Sequence, residues 1–213
     1  MRTRLAALLA PVLLALAGCT AAGGEGATTR DGAAQGRPSP FQDCAGLTTP
    51  AGATPHGAVS ESVPNAADPP AGGPPLPELT LTCFTGGAPI ALRDVRGPAV
   101  INLWASWCAP CRTELPAFQR LSERAEGRLT VLGVNTRDTR SGAQSIGEDF
   151  GVRFPTLVDQ GESLQRSLGR SAIPLTVLVD ADGRVRHVDA SGALDDARLA
   201  ELVRRHLAVA VPQ

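Results

Sequence analysis

Hydrophobic positions are spread unevenly along the chain, and their spacing divides it into three parts. Leu5 to Leu16 is almost wholly apolar and follows Arg2 and Arg4. About a dozen apolar residues are too few for a lasting membrane-spanning helix, so residues 1–18 read as an export signal. From residue 19 to residue 75 large apolar residues are scarce and Gly, Ala, Pro, Ser and Thr dominate. Such a segment buries too little surface to offset its chain entropy, and it reads as a flexible tether. The tether holds one small apolar island, Phe41 to Leu47, around Cys44. Residues 76–213 carry the pattern of one folded domain.

Within that domain the spacing predicts alternating strands and helices. Leu79 to Phe84 and Pro89 to Leu92, separated by Gly86-Gly87, predict a leading hairpin, and Arg93 to Pro98 a turn. Ala99-Val-Ile-Asn-Leu-Trp104 is mostly apolar, as suits a strand buried on both faces. Leu115, Phe118 and Leu121 then recur at three-residue steps, with Glu114, Arg120 and Glu123 on other faces, which predicts a helix. Leu129 to Asn135 reads as a second buried strand, Thr136 to Arg140 as a polar loop, and Ala143 to Phe150 as a helix. A short strand over 154–158 and a helical turn or two over 163–168 follow. Ile173 to Val179 is a strand with Pro174 at its start, Asp180 to Gly183 a hairpin turn, and residues 184–188 its return strand. Leu199, Leu202, Val203 and His206 mark a final helix. The expectation is an α/β fold with a largely parallel sheet covered on both faces.

Candidate chemistry centres on Cys108-Ala-Pro-Cys111, between the buried strand and the first long helix. Unpaired N–H groups at a helix start carry about half a positive charge, which favours a thiolate at Cys108. Cys108 is the expected nucleophile, and Cys111, one turn on and less exposed, the resolving thiol. Zinc is the rival use of this spacing. It needs two more ligands, and the chain offers only Cys44, Cys83 and three scattered histidines, with no second close pair. The placement after a buried strand in an α/β pattern favours redox chemistry.

Trp107-Cys-Ala-Pro-Cys111 after Val100-Ile-Asn-Leu-Trp-Ala-Ser106, with Pro116 in the next helix, resembles the thioredoxin superfamily. It is most similar to the extracytoplasmic TlpA/ResA-type thiol:disulfide oxidoreductases over about 75–210. The resemblance implies a thioredoxin-like fold with a leading β-hairpin and a helix–strand insertion after the redox helix and the following strand. It implies that Pro174 is the cis proline against the cysteine pair, leaving Ile173 to pair edge-on with an extended substrate segment. Leu175 stands where this family often has Thr or Pro. Asn102 replaces the buried Asp of cytoplasmic thioredoxins, and Glu114 resembles the glutamate of the extracytoplasmic branch, expected to keep a raised pKa and act as acid and base. An ordinary exposed helix glutamate is the alternative. Trp107 is expected to cover Cys108 and meet partners, Trp104 to lie in the core, and Pro116 to kink the helix.

Leu16-Ala-Gly-Cys19 resembles a bacterial lipobox, which implies cleavage before Cys19 and lipid on its sulfur. An ordinary signal peptide is the alternative. The expected location is the outer face of the cell membrane, lipid-anchored and extracytoplasmic. With Cys19 on lipid and Cys108 paired with Cys111, Cys44 is left with Cys83, and a structural disulfide between them is expected; two free thiols are the alternative.

Twenty basic against twenty-one acidic residues leave a formal net charge of −1 and no large basic patch, which argues against nucleic acid. His187 and His206 read as surface or packing residues, and neither a metal nor another cofactor is implied. The expected activity is reduction of disulfides in exported cysteine proteins through Cys108 and Cys111. The resemblance adds apocytochrome c, hence cytochrome c biogenesis, and a membrane thiol electron donor. A disulfide-forming oxidant uses the same residues in the opposite direction. A peroxidase would carry Thr and Pro upstream of its cysteine, a pattern missing here. A copper-binding lipoprotein using Cys108, Cys111 and a distant histidine would be expected to space its cysteines by three residues rather than two.

Overall fold

A computed structural model of the chain describes residues 36–48, 73–125 and 127–210. The expected export signal, Cys19 and most of the expected tether lie outside the described residues. The elements run β1 (Thr80–Cys83), β2 (Ile90–Ala91), β3 (Ala99–Trp104), α1 (Ala109–Ala125), β4 (Thr130–Thr136), α2 (Arg140–Asp149), β5 (Thr156–Asp159), α3 (Ser163–Ser167), β6 (Leu175–Val179), β7 (Val185–Asp189) and α4 (Asp196–Leu207).

All seven strands form one sheet in the order β2-β1-β5-β4-β3-β6-β7. Parallel pairing is confined to the centre: β3 pairs with β4 from Ala99–Thr130 to Trp104–Asn135, and β4 pairs with β5. The other four pairings are antiparallel, so the expectation of a largely parallel sheet is corrected to a mixed one. Connection length explains the difference. Helices α1 and α2 are long enough to return the chain to the start of the next strand, as a parallel neighbour requires. The five residues of α3 rise only about 7 Å, so the chain enters β6 from the end at which it left β5. The short turns after β1 and β6 join antiparallel neighbours.

The six residues of β3 are all buried, and their alternation feeds two cores. Val100 and Trp104 point into one with Leu115, Phe118, Ile146, Leu199 and Leu202 of the long helices. Ile101 and Leu103 point into the other with Leu81, Leu92, Leu132, Leu157 and Leu164. Asn102, between Val100 and Trp104, therefore faces the helix side. Helix α2 begins three residues earlier than apolar spacing predicts, because the Thr139 hydroxyl accepts the Gly142 N–H at 3.0 Å and caps it. Pro174 precedes β6 rather than starting it.

The apolar island of the tether docks on this domain. Phe41, Cys44 and Leu47 are buried, and the Phe41 ring meets Phe84 edge-on at 4.8 Å. The Gln42 N–H donates to the Arg153 carbonyl and the Arg96 N–H to the Leu47 carbonyl, both at 2.8 Å. Folded chain also begins slightly before residue 76, since the Val185 N–H donates to the Pro74 carbonyl at 2.8 Å. Among the described residues no helix is long and apolar enough to cross a membrane.

Candidate active site

Strand β3 ends at Trp104, and four residues later Cys108 occupies the position before α1. The Cys108 and Cys111 sulfurs are bonded, with their Cα atoms 5.3 Å apart. The Cys111 N–H donates to Cys108 Sγ at 3.2 Å, and the Arg112 N–H to the Cys108 carbonyl at 3.2 Å. Cys108 Sγ thus takes the place of a capping acceptor for the Cys111 N–H, which has no helical partner. When the bond is reduced, that arrangement favours the thiolate at Cys108. Cys108 keeps 5% exposure and Cys111 none, so a partner reaches Cys108 first.

The loop carrying the cysteines is held from β4 and the start of α2. Asp138 accepts the Ser106 N–H and hydroxyl, each at 2.6 Å, and the Asn135 amide and the Thr139 N–H, each at 2.8 Å. The Trp107 indole N–H donates to the Arg137 carbonyl at 2.9 Å, and the Arg137 guanidinium lies 5.5 Å from the ring centre. Arg137 has a positive φ of 43°, unusual for a side chain of its size. Trp107 is 53% exposed, an apolar surface at the rim of the redox pair. Sequence reasoning passed over Asp138 and Arg137 as parts of a polar loop. The available signal was an Asp directly before a capping Thr, next to a strand that ends opposite the cysteine loop.

Glu114 lies three residues beyond Cys111 in α1. It is 1% exposed, which removes the reading of an ordinary surface glutamate. Asn102 Nδ2 donates to its Oε1 at 2.6 Å, and the Leu194 N–H donates to its Oε2 at 3.0 Å. Burial pushes its carboxyl from 4.5 up to about 7, against the pull of those two hydrogen bonds, with the charge of Asp189 adding to the rise. A carboxyl balanced near neutrality exchanges protons readily at physiological pH. Trp104 is wholly buried, and Pro116 lies inside α1.

Ile173–Pro174 is a cis peptide, and so is Gly97–Pro98, for which the sequence carried no expectation. The pairing of Leu103 with Leu175 sets the Ile173–Pro174 segment at the sheet end from which β3 leads toward Cys108. Trp107 and Ile173 line one cavity of about 280 Å³ with Arg137, Glu162, Gln165 and Ser171. Leu175 itself is buried in the sheet.

The remaining candidates lie apart from this centre. Cys44 and Cys83 are bonded to each other and pin the docked island to β1. The His187 and His206 rings stack at 4.2 Å, and among the described residues no three His, Cys, Asp or Glu side chains converge as a metal would require.

A protein-family comparison matches residues 73–188, which include both central cysteines and Pro174, to the AhpC/TSA family. The chain belongs to that family. Among curated relatives, a thiol:disulfide interchange protein HelX of Rhodobacter capsulatus is 32% identical over 131 residues, covering 60% of this chain and 73% of HelX. A thiol-disulfide oxidoreductase ResA of Bacillus anthracis is 29% identical over 101 residues, covering 46% of this chain; the match spans 58% of the ResA length. A secreted thiol-disulfide isomerase of Corynebacterium glutamicum superposes with a TM-score of 0.54 at 30% identity, covering 62% of this chain and 83% of its own. The MTB dsbF structure gives 0.55 at 25% identity, covering 60% and 94%. The fold of this AhpC/TSA member is thioredoxin-like, with the leading β1–β2 hairpin and with α2 and β5 as the helix–strand insertion.

Proposed function

We propose that this chain is a thiol:disulfide oxidoreductase that reduces disulfides of exported proteins. The observation that carries the reading is the Cys108–Cys111 disulfide at the start of α1, with Glu114 buried one turn further along. In the reduced protein the Cys108 thiolate attacks one sulfur of a partner disulfide and releases the other as a thiolate. Cys111 then gives its proton to the Glu114 carboxylate and attacks Cys108 Sγ. The bond from Cys108 to the partner breaks, the partner leaves with both sulfurs reduced, and the Cys108–Cys111 disulfide forms. Two electrons have passed to the partner, and a dithiol donor in the membrane restores the enzyme. Glu114, a proton acceptor poised near neutrality, supports the exchange chemistry by serving the step that resolves the mixed disulfide, whichever way electrons flow. Trp107 and Ile173 offer the apolar wall and the backbone edge for an extended partner segment.

The placement is part of the same proposal. Residues 1–18 direct export, Cys19 carries lipid, and the chain up to the docked island is a tether at the outer face of the membrane. Exported cysteine proteins, apocytochrome c among them, are the partners. The chemistry is supported by the similarity to HelX, a thiol:disulfide interchange protein, and to ResA, a thiol-disulfide oxidoreductase.

The deciding experiment is the reduction potential of the Cys108–Cys111 pair in thiol buffers, together with turnover of a protein disulfide. A value at or below about −270 mV, as in thioredoxin, with turnover lost in C108S, supports the reductase. A value near −120 mV overturns the direction and makes the chain an oxidant.

A further inference from the structure

Asn102 presents an asymmetry that the reaction just described leaves unused. Its side chain is wholly buried, and Nδ2 gives a 2.6 Å hydrogen bond to Glu114 Oε1. Its Oδ1, on the same carboxamide, has no hydrogen-bond partner among the described residues. A buried carbonyl oxygen left unpaired is destabilising, so an orphan beside a titrating group calls for a reason.

The reason lies in what Glu114 needs in its two states. As a carboxylate it accepts on both oxygens, and Asn102 Nδ2 and the Leu194 N–H supply one donor each. As a carboxylic acid it carries an O–H that must donate. The Leu194 N–H is fixed as a donor, so it cannot receive that proton. Rotating the Asn102 carboxamide by half a turn about its terminal bond brings Oδ1 to the same place, where it accepts from the protonated Oε1.

We propose that Asn102 is a positioning residue whose carboxamide reverses with the protonation of Glu114, donating through Nδ2 to the carboxylate and accepting through Oδ1 from the acid. Both states of Glu114 are then hydrogen-bonded inside the core, so its proton can come and go without leaving the carboxyl group itself unpaired. An aspartate at this position would set two carboxyls within hydrogen-bond reach and hold one of them protonated throughout. A leucine would leave Glu114 with one donor and no acceptor. The other charged group acting on Glu114 is Asp189 at the end of β7. Asp189 is itself held ionised, since two hydrogen bonds from Ser191, with His187 beside it, outweigh the effect of its burial. It therefore adds a constant charge over the range in which Glu114 titrates.

The service of this pair to Cys111 rests on the proposed oxidoreductase reading; the reversal itself does not. The test is infrared titration of the full chain, following the carboxylic C=O band that E114Q removes. In the parent protein the band titrates near pH 7. In N102L the band moves to higher wavenumber as the O–H loses its acceptor, while the midpoint moves little, because each protonation state loses one hydrogen bond. A carboxamide that only donated would leave the band in place and the midpoint raised. Where N102L does not fold, the parent protein still answers: the Asn102 side-chain amide resonances move with the Glu114 titration and become independent of pH in E114Q. A carboxylic band that keeps its parent wavenumber in N102L, or Asn102 resonances constant through the titration, overturns the proposal. Absence of disulfide turnover in the parent protein, with these shifts intact, would sink the oxidoreductase reading and leave the reversal standing.

Discussion

Asp138 holds Ser106 by two hydrogen bonds of 2.6 Å, one to the backbone N–H and one to the hydroxyl, and so fixes the chain two residues before Cys108. The same carboxylate ties down Asn135 at the end of β4 and the Thr139 N–H at the cap of α2. One buried side chain thus joins the redox loop, a central strand and the next helix. Packing contacts alone would leave that loop free to shift by the fraction of an ångström that aligned attack on a disulfide does not tolerate.

The consequence is measurable in D138A. Four donors lose their acceptor, and the Asn135 donor lies buried where water reaches poorly. The oxidised protein is expected to lose on the order of 3 kcal/mol of stability. Disulfide reduction should slow about tenfold or more even where the protein is fully folded. Urea unfolding and single-turnover thiol exchange test both parts. A variant that unfolds at the parent midpoint and exchanges at the parent rate would remove Asp138 from this role.

Glu114 predicts a pH dependence of stability with a definite sign. Its carboxyl titrates near 4.5 when unfolded and near 7 when folded. Between those values the folded protein holds a proton that the unfolded chain has released, so stability falls as pH rises. The loss is complete above the folded pKa and amounts to about 3 kcal/mol for a rise of this size. Below pH 4.5 both states are protonated and the group contributes no slope. Urea unfolding of the oxidised protein at a series of pH values should show this decline, and E114Q should flatten it. A parent curve that rises across the same interval would contradict the burial argument.

Much of this site was legible in the sequence because its strongest signals are local. A run such as Ala99 to Trp104 has to be a buried strand, and two cysteines at the start of the following helix fall at its charged end. The i, i+3 step from Cys111 to Glu114 was equally plain, whereas the burial of Glu114 depends on α4 and the Leu194 loop, which lie some eighty residues on. Asp138 was hidden for the same reason: its role depends on β4 lying beside β3, and that pairing leaves no mark in the residues around it. Parallel and antiparallel neighbours also share one hydrophobic pattern when both are fully buried, which is why the mixed sheet read as largely parallel. The docking of the island was legible too, since an apolar cluster around Cys44 and an expected bond to Cys83 pin it to the domain, and the buried side chains of Phe41, Cys44 and Leu47 are what hold it.

The Cys44–Cys83 bond closes a separation of 39 residues. On the chain-entropy model a loop of that length stabilises by about 4 kcal/mol. The double variant C44A/C83A is expected to unfold at a clearly lower urea concentration, with a loss of that order. Cys108 and Cys111 should still form their own bond. Limited proteolysis provides a local reading: cleavage within 36–48 should precede global unfolding in the variant and not in the parent. Equal stability of the two proteins would show that the docked island holds without its staple.

Gly147 tests whether the island is wedged against α2 or merely laid over it. A Cβ added there would come within 2.7 Å of both Phe41 Cζ and Pro40 Cγ. In an exposed helix the change to alanine gains about 1 kcal/mol from helix propensity alone. Here the Phe41 ring cannot swing aside, because it is buried edge-on to Phe84 and lies 6.0 Å from Trp104. Pro40 has a rigid ring, and the preceding Pro38 carbonyl is held by the Gln144 amide at 2.7 Å. Crowding therefore outweighs propensity, and G147A is expected to destabilise by about 1–2 kcal/mol. The same substitution in the C44A/C83A background should cost less or become stabilising, since an unstapled island can lift away. A double-mutant cycle by urea unfolding measures that coupling. Additive effects would mean that the staple and the wedge act on separate parts of the protein, and that Phe41 holds its place without Cys44.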